Sequence, residues 1–312
     1  MPDRKVKIIV NPSAGQGRAW KTAHQLHDVV SKYTLADWVG TVYPGHATEL
    51  ARQAGEEGFD LVIAVGGDGT VHEVVNGLMK TPKDRRPALG VVPYGTGNDF
   101  AYAVGMDPRP EIAVDQIFSG APFPVDIGLL EDDTGKREYW DNAVGIGFDT
   151  IVTLRTRNFR FLKGFFVFFA AVIQTILLDN VAPLFTVRSD REEYRKAFLL
   201  FVISNGPREG GGFLVSPPAK PDDGTFHYAA IVNVSRLRMF RLLPEVIKGA
   251  HERFPDVTIG SFEREIELSS DRPMYIHADG EIMAGFDRQV RWLKVHLLPK
   301  ELMVCCSPKK RV

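Results

Sequence analysis

Cysteine is almost missing from this 312-residue chain: Cys305 and Cys306 are the only two, and they are adjacent. Neighbouring thiols build no disulfide framework, which points to a reducing compartment. The eight histidines and two cysteines fall at no zinc spacing. Neither sign of charge is in excess. The net value of −1 argues against a strongly basic nucleic-acid binder, so any anionic partner must meet a local basic patch. No low-complexity tract interrupts a composition of 44% hydrophobic and 25% charged residues, which is that of a soluble domain. The opening MPDRKVKIIVNP has no apolar leader core, and the closing KKRV has no prenylation cysteine. The longest apolar run, 164–173, is short for a bilayer span of about 20 residues. These absences lead to the expectation of a cytoplasmic chain.

What is present is a change of rhythm. Chains beyond about 250–300 residues divide into domains. Over 5–127, strand-like segments at 5–10, 37–43, 61–65 and 88–92 alternate with helical patterns. In 71–79 the apolar residues Val71, Val74, Val75, Leu78 and Met79 follow helical spacing. Such alternation predicts an α/β domain with a parallel sheet, whose ligands bind beyond the carboxyl ends of the strands. From 128 onward, segments of period two follow one another, with helical interruptions near 159–178 and 236–250. That pattern predicts a mainly antiparallel β-sandwich or distorted barrel. The expected domains are 1–127, with 298–312 returning to it, and 128–297.

Three of the first strands end in glycine turns: Asn11-Pro12-Ser13-Ala14-Gly15-Gln16-Gly17, Gly66-Gly67-Asp68-Gly69-Thr70, and Pro93-Tyr94-Gly95-Thr96-Gly97-Asn98-Asp99. Bare backbone there lets a phosphate oxygen approach without meeting a Cβ, and a helix N-terminus near Thr70 adds unpaired N–H groups. A branched side chain at Gly67 is therefore expected to damage nucleotide binding more than stability. Neither G-x-G-x-x-G nor the P-loop pattern occurs at these turns. Asp68 beside phosphate calls for an intervening cation, and Mg²⁺ takes one or two carboxylates together with phosphate oxygens. Asp99 and Asp126 could join it in a water-mediated magnesium network. The plainer readings stand beside this: Asp68 and Asp126 as turn residues, and Asp99 as the cap of a helix starting at Phe100.

The wording of VNPSAGQGRA, GGDGTVHEVVNGL, VVPYGTGNDFA, PAKPDDGTF and HADGE resembles the diacylglycerol kinase catalytic family, in order along nearly the whole chain. The shorter Gly-Gly-Asp-Gly-Thr element is shared with NAD kinases and 6-phosphofructokinases. The resemblance implies an α/β nucleotide-binding domain of NAD kinase/diacylglycerol kinase-like type, a β-sandwich lipid domain, ATP and Mg²⁺. It implies phosphate and ribose contacts at Asn11, Pro12, Ser13, Ala14 and Gly15, at Gly66, Gly67, Asp68, Gly69, Thr70, Val71 and His72, and at Thr96. Thr41 would lie near the adenosine, and Glu281 would be an acid reaching the nucleotide. Asp279 matches the catalytic base. Asp279→Asn is accordingly expected to abolish transfer while leaving the fold nearly intact. A structural metal would sit on Lys220, Asp223 and Thr225, with carbonyl oxygens from the first and last, since an ammonium cannot ligate a cation. His72 departs from the family pattern, where asparagine is expected, and its bulkier ring bears on the local nucleotide contact.

The activity implied is an ATP-dependent lipid kinase, converting diacylglycerol to phosphatidic acid. An NAD kinase is the enzyme alternative, and a catalytically silent nucleotide- or lipid-binding module is the other. The hairpin tip at Asp279-Gly280 would carry the base. Arg155, Arg157, Arg160 and Lys163 precede the apolar run, so peripheral, transient contact with an anionic membrane is expected. No nucleic-acid partner is expected, and a homodimer is left open.

Overall fold

The computed structural model describes residues 4–156, 158–159, 161–162, 164–179, 181–285 and 287–307. Arg157, Arg160 and Lys163, three of the four basic residues expected at a membrane, lie outside the described residues. The chain divides into two compact units, Met1–Asp126 with Pro299–Val312, and Ile127–Leu298.

The first unit is built on β1 (Val6–Val10), β2 (Ala36–Gly40), β3 (Leu61–Gly66) and β4 (Ala88–Pro93). β1 pairs in parallel with β2 and β3, and β3 with β4. Every residue of β3 is buried, as expected of a parallel strand covered on both faces. The connections are α1 (Ala14–Lys21), α2 (Ala23–Val30), α3 (His46–Glu56), α4 (Asp68–Leu78), α5 (Asp99–Ala103) and α6 (Pro110–Ser119). The apolar stripe of α4 forms because Val71, Val74, Val75 and Leu78 fall on one side, and all four are buried. Val10 pairs with Val65 and Gly66 with Pro93, so the carboxyl ends of β1, β3 and β4 are level. The chain leaves β1 toward β2 on one side and β3 on the other, a topological switch point. After Pro299 the chain returns, setting Val304 beside Leu89 of β4.

β5 (Pro122–Asp132) carries Asp126 in its interior, fully buried, with a carboxylate oxygen accepting the Lys300 N–H at 2.8 Å. The reading of Asp126 as a strand-end or turn residue is thereby corrected. A carboxylate withdrawn from water this far needs donors, and a backbone amide is one.

The second unit contains β6 (Arg137–Trp140), β7 (Ala143–Gly147), β8 (Leu184–Ser189), β9 (Glu193–Ser204), β10 (Phe226–Val232), β11 (Val257–Phe262), β12 (Glu265–Met274), β13 (Ile276–Ala278), β14 (Glu281–Ala284) and β15 (Val290–Cys305), the last running on past the unit. The first half of β9 pairs with β8, and its second half lies between β7 and β10, all antiparallel. One long strand thus serves two sheet regions, a sandwich device. Trp140, Phe185, Phe198, Phe201, Phe226 and Phe262 share the core, each worth roughly 1.5–3 kcal/mol of burial. α7 (Phe148–Thr156) precedes the segment 159–178, the helix expected there is α8 (Phe165–Leu178), which starts later than expected, and α9 (Arg236–Lys248) lies where the second interruption was expected. Gly164, at φ +57, stands at the N-cap of α8, a backbone conformation that favours glycine. Among the described residues no helix is long and apolar enough to cross a membrane.

Candidate functional site

Three turns of the first unit meet one another at the carboxyl edge of its sheet. After β1, Asn11 donates its backbone N–H to Val65 O and its side-chain amide to Thr70 Oγ1 at 3.0 Å. The Ser13 N–H closes on Asn11 Oδ1, an Asx turn that aims the following glycines. Gly15, Gln16 and Gly17 are all left-handed, and a Cβ on Gly15 would stand 2.8 Å from the Tyr94 carbonyl oxygen. Pro12 lies against Gly40, and the Thr41 N–H donates to Val10 O, so both residues sit at the same edge.

Asp68 ties the second turn to the third. Its two oxygens accept the N–H groups of Asn98 and Asp99, both at 2.6 Å. Charge-assisted bonds of this length hold the start of α5 in place. Asp99 is the first residue of α5 and Asn98 stands at its N-cap, which corrects the reading of Asp99 as the cap of a helix starting at Phe100. The residue before it, Asn98, adopts φ +53 and accepts the Gly95 N–H, a shaping role that spacing alone did not reveal. A Cβ on Gly97 would fall 2.7 Å from Asp99 Oδ2 and 2.9 Å from Asp68 Oδ2. Only glycine leaves that space between two carboxylates. Two carboxylates this close to one glycine are donors of the kind that a hard cation such as Mg²⁺ takes.

Gly67 is extended, at φ −98, so it needs no left-handed freedom. A Cβ there would stand 2.7 Å from the Gly95 Cα. Glycine is thus called for at this position by turn packing against turn, and the positive φ that would have favoured glycine here is not used. Gly66 packs on Thr70 in the same way. Gly69 lies in the first turn of α4, and Thr96 is exposed between its glycines. Val71 is 2% exposed and presents only backbone to any ligand. His72 is 4% exposed, and its ring meets the Asn76 side-chain amide one turn on, at 3.3 Å. Its bulk is absorbed by the helix packing.

In the second unit Asp279 and Gly280 form a two-residue turn between β13 and β14, with φ +49 and +86. The Asp279 carboxylate accepts the N–H groups of Asp141, Asn142 and Ala143 at 2.9–3.0 Å. Three amides fix its plane. An asparagine would turn its NH₂ toward one of those donors, so Asp279→Asn disturbs the fold as well. Glu281 opens β14 and is exposed. Asp223 Oδ1 accepts the Thr225 N–H at 3.0 Å beside Gly224 at φ +74 and the exposed Lys220. Desolvation in that loop raises the Asp223 carboxyl above its ordinary range, opposed by the Thr225 amide.

Asp149, Glu209 and His277 form a group the sequence did not single out, with one potential ligand atom each within 4.8 Å of one another. No spacing signals it, since the three come from α7, the loop after β9, and β13.

Comparison with known proteins agrees over both units. The diacylglycerol kinase catalytic domain model matches residues 5–130, and the YegS C-terminal NAD kinase beta sandwich-like domain model matches 142–306. A diacylglycerol kinase of Mycobacterium tuberculosis (strain H37Rv) is 31% identical over 290 residues, 92% of this chain and 91% of the other. The diacylglycerol kinase of Bacillus subtilis (strain 168) is 29% identical over 286 residues, 89% of this chain and 90% of the other. The crystal structure of a diacylglycerol kinase from Bacillus anthracis (strain Sterne) superposes with a TM-score of 0.77 at 22% identity, covering 99% of both chains. That likeness establishes the fold.

Proposed function

Because the chain belongs to the diacylglycerol kinase catalytic-domain family, we propose that it is a lipid kinase that transfers the γ-phosphate of ATP to a lipid hydroxyl, diacylglycerol first. The observation that carries the reading is the glycine-lined space between Asp68 and Asp99 at three level strand ends. The turn amides after β1, β3 and β4 bind and orient the phosphates, with the N-terminus of α4 adding its dipole. Bound Mg²⁺ would supply charge neutralisation of the phosphate oxygens, with Asp68 and Asp99 as its carboxylates. In the transfer the acceptor oxygen bonds to the γ-phosphorus, the bond from that phosphorus to the β-bridging oxygen breaks, and ADP leaves. Asp279 takes the hydroxyl proton. The loop of Lys220, Asp223 and Thr225 would hold a second, structural cation through the Asp223 carboxylate and the carbonyl oxygens of the other two.

α8 supports a lipid acceptor. Phe166 and Leu177, three turns apart on one side, are 65% and 54% exposed, which suits peripheral contact with a bilayer.

The test is phosphate transfer from labelled ATP to a total lipid extract, with Asp279→Asn beside the wild type. Turnover should fall about 10²–10⁴-fold, as for loss of a general base. Thermal stability should fall with it, while ATP affinity is retained. Near-wild-type turnover in the variant would remove Asp279 from the mechanism. Transfer to NAD without lipid would overturn the acceptor.

A further inference from the structure

His277 stands two residues before Asp279 in β13 and is 4% exposed. Both ring nitrogens are engaged. Nδ1 accepts the Gly280 N–H at 3.2 Å, so the ring proton belongs to Nε2, which donates to Asp149 Oδ2 at 2.6 Å. A carboxylate on one nitrogen fixes the tautomer and orientation of the ring, leaving the other nitrogen as an acceptor. The surrounding chain is cut to fit this pair. A Cβ on Gly145 would fall 2.1 Å from Asp149 Oδ2 and 2.2 Å from His277 Nε2. Asp149 itself is placed by the first turn of α7, directly after β7.

The peptide that His277 grips is the one joining Asp279 to Gly280. Both residues of this turn are left-handed, and Asp279 is one of four non-glycine residues with positive φ among those described. That conformation persists only where the surroundings hold it. Two devices do so here: the amides of 141–143 on the carboxylate, and the imidazole on the next amide. The first fixes the side chain, and the second fixes the backbone that carries it.

We propose that His277, oriented by Asp149, is a positioning residue for the phosphoryl transfer, holding the Gly280 amide and with it the Asp279 carboxylate and the start of β14 at Glu281. The proposal rests on the reading of Asp279 as the group that receives the hydroxyl proton. A histidine that only filled space would serve in either tautomer and with any polar neighbour. Here the acceptor nitrogen faces a peptide of the proposed catalytic turn, and small misplacements of a reacting group cost about 10²-fold in rate.

Two near-isosteric substitutions separate the bonds. His277→Asn puts an amide oxygen where Nδ1 stands and can still accept from Gly280, but does not reach Asp149. His277→Gln extends toward Asp149 and leaves the Gly280 N–H without its acceptor. The expected result is a loss of about 10–100-fold in kcat for Gln, with KM for ATP unchanged, and recovery of most of the rate with Asn. Hydrogen exchange at the Gly280 amide supplies a readout independent of turnover: slow in the wild type and in Asn, faster in Gln. Equal kcat in Gln and wild type, or Gly280 exchange unchanged in Gln, overturns the proposal. A wild-type chain inactive on every lipid overturns the functional reading and the catalytic half of this one. The exchange pattern then still decides whether the imidazole holds the turn.

Discussion

Gly67 faces the backbone of Gly95 across a gap that one methyl group would close. Gly67→Ala should therefore lower the melting temperature, because overpacking against backbone costs roughly 1–3 kcal/mol. ATP affinity should weaken together with stability, since the displaced Gly95 turn is also held by Asn98 and Asp68. A thermal melt beside an ATP titration checks this, and an unchanged melt with weakened ATP binding would restore phosphate approach as the reason for the glycine. His72 shows the same lesson in reverse. Its ring is out of place in the family's wording yet lies within the packing of α4, bonded to Asn76.

At the scale of elements, α8 changes what should be expected of a membrane. Of the basic cluster singled out in the sequence, Arg155 alone lies among the described residues. Arg155 is paired with Asp179, and so is committed within the protein. The apolar side of α8 is what remains in view. Phe166→Ser combined with Leu177→Ser should reduce the rate on diacylglycerol vesicles about tenfold or more, because each lost burial is worth roughly 1.5–3 kcal/mol. Turnover of a short-chain, water-soluble diacylglycerol should be spared. Vesicle co-sedimentation gives the binding directly, and equal sedimentation of variant and wild type would exclude this helix from the contact.

For the whole molecule, stability should depend on acid through a buried ring. His251 is 1% exposed, with Nε2 at 3.0 Å from the Val215 carbonyl oxygen. Burial pushes its protonation below the ordinary histidine range, and the Val215 carbonyl opposes this. His227 is lowered by burial as well, against the pull of Asp223. A group whose folded value is depressed in this way takes up its proton first in the unfolded chain. The stability it contributes is complete above about pH 6.5 and is lost as pH falls from there toward the folded value. The melting temperature should thus decline on acidification below neutrality, and His251→Gln should flatten part of the decline. An identical pH profile in the variant would assign the loss to other groups.

The alternation of strands and helices, the parallel sheet and the glycine turns at its edge were determined by the sequence itself. Periods of 2 and 3.6, and the backbone freedom of glycine, are properties of neighbouring residues. The start of the helix expected over 159–178 was less legible, because an apolar run beginning at Gly164 does not reveal that this glycine, at φ +57, is the N-cap. What only the tertiary structure decided is who meets whom. Asp68 finds its amides 30 and 31 residues away, Asp279 reaches back 138 residues to Asp141, and His277 reaches 128 to Asp149. Hydrogen bonds act over about 3 Å, whereas sequence patterns extend over one or two turns of chain. A carboxylate's partners are therefore settled by the packing that brings distant strands level, and by no feature of its own segment.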